Sequence, residues 1–165
     1  MESGKDESAL SEEVIDLLRA RGDTIAVAES LTGGMLAASL TAIPGASAAF
    51  RGGIVPYATS LKAVLLGVPA ALLDSHGAVH PDVARAMADG VRSRLGATVG
   101  AATTGVAGPD PQDGHPVGTV YIAVSAGGDT GVQSLALAGG RRQIREATVE
   151  QLLGMLICRL REDNI

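Results

Sequence analysis

The segment AESLTGG, residues 28–34, follows the apolar run 24–27 and precedes a helical pattern. It therefore puts a carboxylate, Glu29, two hydroxyls, Ser30 and Thr32, and two glycines, Gly33 and Gly34, at the seam between a buried strand and a helix. In an open α/β sheet, a hydroxyl just past a strand's carboxyl end stands where ligands collect. The glycines let a ligand approach the main chain, while free N–H groups and the dipole at the helix start favour an anion or an oxyanion. A plainer task fits the same residues: Ser30 or Thr32 caps the helix, and the glycines permit close helix–strand packing.

Lysine usage singles out a second group. Of 13 basic residues only Lys5 and Lys62 are lysines, and Lys5 falls in a polar leader. Arginine keeps its proton, whereas a partly desolvated lysine can act as a general base. Lys62 opens a helix after a strand, and Tyr57 lies five residues upstream at that strand's end. Both can face the crevice of Ser30; a solvated surface lysine is the alternative.

A third stretch, residues 102–123, carries a long Gly/Pro loop of the kind that compact domains keep for function or motion. Thr104 and the backbone from Gly105 to Gly108 offer hydroxyl and N–H donors. Asp110, Asp113 and His115 match no metal-ligand spacing and read as turn residues, so no metal is expected. Arg141, Arg142 and Arg145 begin the last helix, where their charge opposes the helix dipole, a placement that anion binding explains as well as a solvated basic face does. His76 and His80 flank a turn and read as capping or surface residues, and Cys158 reads as a small core residue.

These groups need elements to hold them. Residues 1–8 are polar and expected to fray, leaving 9–165 as a single domain. Leu10, Val14, Leu17 and Leu18 recur at helical spacing up to Gly22; a buried strand follows at 24–28, then a helix carrying Leu36, Leu40 and Ile43. A second strand is predicted over 50–57, short helices near 60–66 and 69–74, and a helix from Pro81 through Leu95. A third strand spans 97–104. Residues 117–125 and 132–138 read as a hairpin, and a last helix covers 141–160. Alternating units followed by a hairpin predict an α/β fold: a three-layer α/β/α sandwich on a mixed, mainly parallel sheet with a C-terminal antiparallel hairpin.

Composition narrows the partners. A formal net charge of −5 denies the chain the basic footprint of a general nucleic-acid binder, and no apolar run is long enough to span a bilayer. With 2% aromatics the core must be built from Ala, Val, Leu and Ile, so helices are expected to pack close to the sheet. A small-molecule ligand, a reducing cytoplasmic setting, and a homodimer or higher homo-oligomer burying apolar stripes of the terminal helices are the expectations.

The ordered blocks AESLTGG, YATSLK, GVAGPD, PVGTVYIA and GGRRQIR, spread from about Leu10 to Leu160, resemble the CinA C-terminal domain family, whose characterised members are nicotinamide-nucleotide amidases. The resemblance looks like the stand-alone form. It implies deamidation of nicotinamide mononucleotide to nicotinate mononucleotide and ammonia, without a cofactor. Ser30 would be the nucleophile, Lys62 its base and Tyr57 a member of their hydrogen-bond network. Thr104 and Gly105 would line the pocket, Arg141 and Arg145 would hold phosphate or support the site, and N–H groups of Thr32, Gly33 and Gly34 would hold the oxyanion. The chain departs from the family pattern at Ala58-Thr59, at Gly140 and in the loop PDPQDGHP. A non-catalytic nucleotide- or partner-binding module, and an amidase for another carboxamide, are the competing readings.

Overall fold

The computed structural model describes residues 6–162. Helix α1 (Glu7–Arg21) begins where the Asp6 carboxylate accepts the Ser8 amide and ends at Gly22 in the left-handed conformation. The helix thus starts two residues earlier than the polar composition of the leader suggests, because Asp6 caps it; the rest of the leader, Lys5 included, lies outside the described residues. Strand β1 (Ile25–Glu29) and helix α2 (Met35–Thr41) follow, then a short 3-10 turn, strand β2 (Phe50–Ile54), and helices α3 (Thr59–Leu66), α4 (Ala70–His76) and α5 (Pro81–Arg94). Strand β3 (Val99–Gly105), the hairpin β4 (Thr119–Ala126) and β5 (Asp129–Ala136), and helix α6 (Arg141–Glu162) complete the chain. β2 stops short of Tyr57: Pro56 has no N–H to give a ladder, so Tyr57 falls in the link to α3.

The five strands lie in the order β2-β1-β3-β4-β5. β1 pairs parallel with β2 and with β3, while β3–β4 and β4–β5 are antiparallel, so the mixed sheet divides evenly between the two kinds of pairing. Period-two alternation sends Ile25, Val27, Val99 and Ala101 to one face, beneath α1, α2 and α6. Ala26, Ala28, Ala102 and Ala123 go to the other, beneath α3, α4 and α5. That second face is built almost wholly of small side chains, and α5 comes so near that a Cβ on Gly100 would stand 2.2 Å from the Ala88 carbonyl oxygen. The scarcity of aromatics is matched by this thin packing.

Because β1 connects onward to β2 on one side and pairs with β3 on the other, a crevice opens at the carboxyl ends of β1 and β3. Ser30, Tyr57 and Thr104 all arrive there from different elements. One apolar expectation fails at the opposite end of the chain: Cys158 is exposed, since the buried stripe of α6 runs through Val149, Leu152, Leu153, Leu156, Ile157 and Leu160 and leaves position 158 on the outer face.

Candidate active site

Glu29, the last residue of β1, is 1% exposed, and its carboxylate turns back onto the next helix. One oxygen accepts the Leu36 amide at 2.8 Å and the other the Ala37 amide at 3.0 Å. The positive end of α2 is therefore already filled by an anion of the chain itself. This settles the capping question: the N-cap position is Gly34, with φ 107°, and neither Ser30 nor Thr32 caps the helix. Thr32 bonds through its hydroxyl to the Thr103 hydroxyl at 2.9 Å, and the Gly33 amide donates to the Ser30 carbonyl. Thr32, Gly33 and Gly34 curl away toward α2 and do not line the pocket, where Leu31 stands instead.

That leaves the Ser30 hydroxyl without capping work. The Ser30 amide is held by the Thr103 carbonyl and hydroxyl, at 3.1 and 3.2 Å, which pins the residue between β1 and β3. The Ser30 side chain reaches into a pocket of about 500 Å³ lined also by Tyr57, Lys62, Thr104, Gly105 and Arg141. Lys62 enters from the first turn and a half of α3 and is 1% exposed. Its Nζ lies 3.1 Å from the Ser30 Oγ and donates to the Pro56 carbonyl at 2.8 Å. Burial pulls the amine down from 10.5 to about 8, against a smaller upward pull from the Asp113 carboxylate. An amine so placed is partly neutral near physiological pH and has its lone pair available to a hydroxyl proton.

The rim is built differently. Tyr57 is 58% exposed, and its hydroxyl pairs with the Arg141 guanidinium at 2.8 Å instead of with Ser30 or Lys62. Arg141 also donates to the Gly108 carbonyl at 2.6 Å, so it bridges the α3 approach, the Gly/Pro loop and the start of α6. Two of its five N–H groups are thereby engaged, and the others remain for an anion at the mouth. Arg145 does not reach the pocket: it donates to the carbonyls of Leu31 and Thr32 from behind and braces the Ser30 loop. Arg142 points outward and pairs with Glu146 one turn along.

Thr104, 1% exposed, spends its hydroxyl on the Ala78 carbonyl at 2.7 Å and so joins β3 to the α4–α5 turn. Ala78 and Val79 form a wall of the pocket that the sequence reading did not include, as did Asp110 and Gln112. His80 caps α5 through Nδ1 and stacks on His76. Among the described residues no cluster of His, Cys, Asp or Glu is suited to a metal ion, and no helix is long and apolar enough to cross a membrane.

A family model for the CinA C-terminal domain matches residues 7–160. A CinA-like protein of Frankia casuarinae is 55% identical over 153 residues, which cover 93% of this chain and 35% of that protein. A putative competence-damage inducible protein of Geobacillus kaustophilus is 46% identical over 148 residues, covering 89% and 36%. The chain thus spans about a third of the length of these curated relatives. Among solved structures, a competence-damaged protein (CinA) superfamily protein from Klebsiella pneumoniae superposes with a TM-score of 0.92 at 31% identity, covering 96% of this chain and 99% of the other. The competence/damage inducible protein CihA from Agrobacterium tumefaciens does so with 0.89 at 36% identity, covering 96% and 98%. By sequence along nearly its whole length and by fold, the chain belongs to the CinA C-terminal domain family.

Proposed function

We propose that the domain is an amidohydrolase that deamidates nicotinamide mononucleotide through a Ser30/Lys62 pair. The observation that carries this reading is the buried Lys62 amine 3.1 Å from a serine hydroxyl that has no capping duty. Neutral Lys62 takes the hydroxyl proton as Ser30 Oγ adds to the carboxamide carbon. The proton passes to the leaving nitrogen, the C–N bond breaks and ammonia departs, leaving an acyl-serine. Water then adds to that ester, giving its proton by way of Lys62 to Ser30 Oγ as the acid, nicotinate mononucleotide, is released. The Pro56 carbonyl holds one N–H of the amine and so aims its lone pair at Ser30. Donors for the oxyanion come from the backbone N–H groups of Leu31, Ala107 and Gly108 in the pocket wall, since the first turn of α2 is engaged by Glu29 and the Val106 amide by the Thr119 carbonyl. At the rim, Arg141 meets the phosphate, where its planar donors suit that group.

The test is ammonia release from nicotinamide mononucleotide. The amidase reading expects turnover that disappears in Ser30→Ala and in Lys62→Arg, because arginine stays charged. A domain that only binds would show nucleotide affinity without ammonia in the unaltered protein and keep that affinity in Lys62→Arg. A panel of other carboxamides separates an amidase of different substrate preference.

A further inference from the structure

The loop between β3 and β4 contains the sequence Gln112-Asp113-Gly114-His115, and the chain reverses there in two residues: the Gln112 amide donates to the His115 carbonyl at 3.2 Å and the His115 amide returns the bond at 2.8 Å. Asp113 has φ 50° and Gly114 φ 78°, the left-handed pair that such a reversal demands. Asp113 is the one non-glycine residue with positive φ among the described residues, and a conformation of this sort persists where surrounding contacts hold it. Its carboxylate supplies the contact. Oδ2 accepts the Ala78 amide at 3.4 Å and lies against Gly77, where an added Cβ would stand 2.7 Å from it.

Ala78 is thus gripped at both backbone groups: its N–H by Asp113 from the loop, its C=O by Thr104 from the end of β3. Ala78 is 3% exposed and lines the pocket; Asp113 stands behind that wall and does not line it. We propose that Asp113 is a positioning residue of the Ser30/Lys62 site, fastening the loop hairpin to the Gly77–Val79 turn and setting a fixed negative charge behind the wall that Lys62 faces. The proposal deepens the amidase reading and rests on it for substrate, though not for the charge effect on Lys62.

Other groups around the amine do not supply that charge. Tyr57, Asp110 and Arg141 line the pocket, and His76 and His80 border the α4–α5 turn. Helix α5 meets α3 through Gly90, set against the Leu66 carbonyl, with the Arg94 guanidinium beside Gly67 at the far end of α3, and α4 brings Asp74 alongside Thr59, Ser60 and Ala63. The Glu29 carboxylate is turned to α2. Of all of these only Asp113 raises the amine, opposing its burial.

Two lysines make the test direct. Protein labelled with 13C at lysine Cε gives two lysine signals, from Lys5 and Lys62. They are titrated in the unaltered protein, in Asp113→Asn and in Asp113→Gly, the last of which keeps the left-handed turn and removes the carboxylate. The Lys62 midpoint is expected to fall by roughly half a pH unit or more in both variants, with Lys5 unmoved. The acid limb of kcat/KM should fall with it, and KM should rise several-fold in Asp113→Gly as the wall loosens. A Lys62 midpoint identical in all three proteins overturns the proposal, as does a change in KM with the midpoint fixed, which marks a purely structural loop contact. A displaced Lys62 midpoint in a protein that releases no ammonia from nicotinamide mononucleotide keeps the positioning role and rejects the substrate reading instead.

Discussion

Of two concavities set side by side, the groove on the α6 face and the Ser30 pocket, the larger has the poorer chemistry. The groove bordered by Leu10, Gln133, Met155 and Cys158, between α1, β5 and α6, spans about 890 Å³ with its open mouth included, against about 500 Å³ at the Ser30 pocket on the same footing. Its walls are mainly apolar and its polar side chains, Glu150 and Gln151 among them, face solvent. The pocket has a floor of polar groups withdrawn from water: Ser30 at 9% exposure and Lys62 and Thr104 at 1%. Withdrawing such groups is costly unless they are bonded, and here each is. Volume therefore says little about where a reaction can run; bonded, buried titratable groups aimed at one space say more.

The comparison breaks most decisively at Ser30 and Lys62. Ser30→Ala and Lys62→Met should each lower kcat for ammonia release by about a thousandfold or more, in the range seen when a nucleophile or its base is removed. Circular dichroism should show both variants folded. Activity of the unaltered protein should rise with pH through about 8, as Lys62 gives up its proton, and flatten above. Folding responds with the same sign. The folded-state value is depressed from 10.5 to about 8, so the unfolded chain holds more protons between those limits. Stability on this account is fully present above the unfolded value and is lost as pH falls through the folded one. Lys62→Met removes that dependence, which denaturant midpoints at pH 7.5 and 10 would reveal.

Glu29 ranks next. Replacing it with glutamine leaves one oxygen for two amides and turns an NH2 group toward an N–H donor. A loss of about 2 kcal/mol in stability follows, within the range for a buried donor left unpaired. Urea unfolding measures it, and because Ser30 is the adjacent residue kcat should drop as well. Tyr57→Phe is milder. The loss of its hydroxyl frees Arg141 on one side, so KM should rise about threefold to tenfold with kcat nearly unchanged, if Arg141 meets the substrate's phosphate. Steady-state kinetics over the substrate range separates the two parameters.

Much of this arrangement was legible in the chain itself, for reasons that differ by residue. Ser30 stood out because a strand end and two glycines fix its surroundings locally. Lys62 stood out because the described body uses arginine at every other basic position. The mixed sheet followed from alternating elements and a late hairpin. What stayed hidden depends on contacts far apart in sequence. The Glu29 carboxylate occupying α2, the grip of Thr104 on Ala78, and Arg145 reaching behind the Ser30 loop are settled only when separate elements meet. The family resemblance implies Tyr57 in the Ser/Lys network, yet Pro56 ends the extended segment and the Tyr57 hydroxyl accepts from Arg141, 84 residues away. Cys158 was misread for a related reason: apolar neighbours in sequence lie on several faces of one helix, and only the partner surface decides which face is covered.

The groove supplies the smallest effect and the control for all the others. Gly154 lies inside α6, where a Cβ would have nothing within 4 Å. Glycine in a helix interior costs about 0.5–1 kcal/mol relative to alanine, chiefly through the freedom it gives the unfolded chain. Gly154→Ala should therefore raise stability by about that amount, shifting the urea midpoint upward at an unchanged slope. The position borders the groove and not the pocket, so kcat/KM for ammonia release should stay within about twofold of the unaltered protein, as expected for distant sites without shared partners. A stabilised variant with altered kinetics would mean that the α6 surface communicates with the Ser30 floor through the helix, whose first two turns carry Arg141 and Arg145, and the separation between the two concavities would have to be given up.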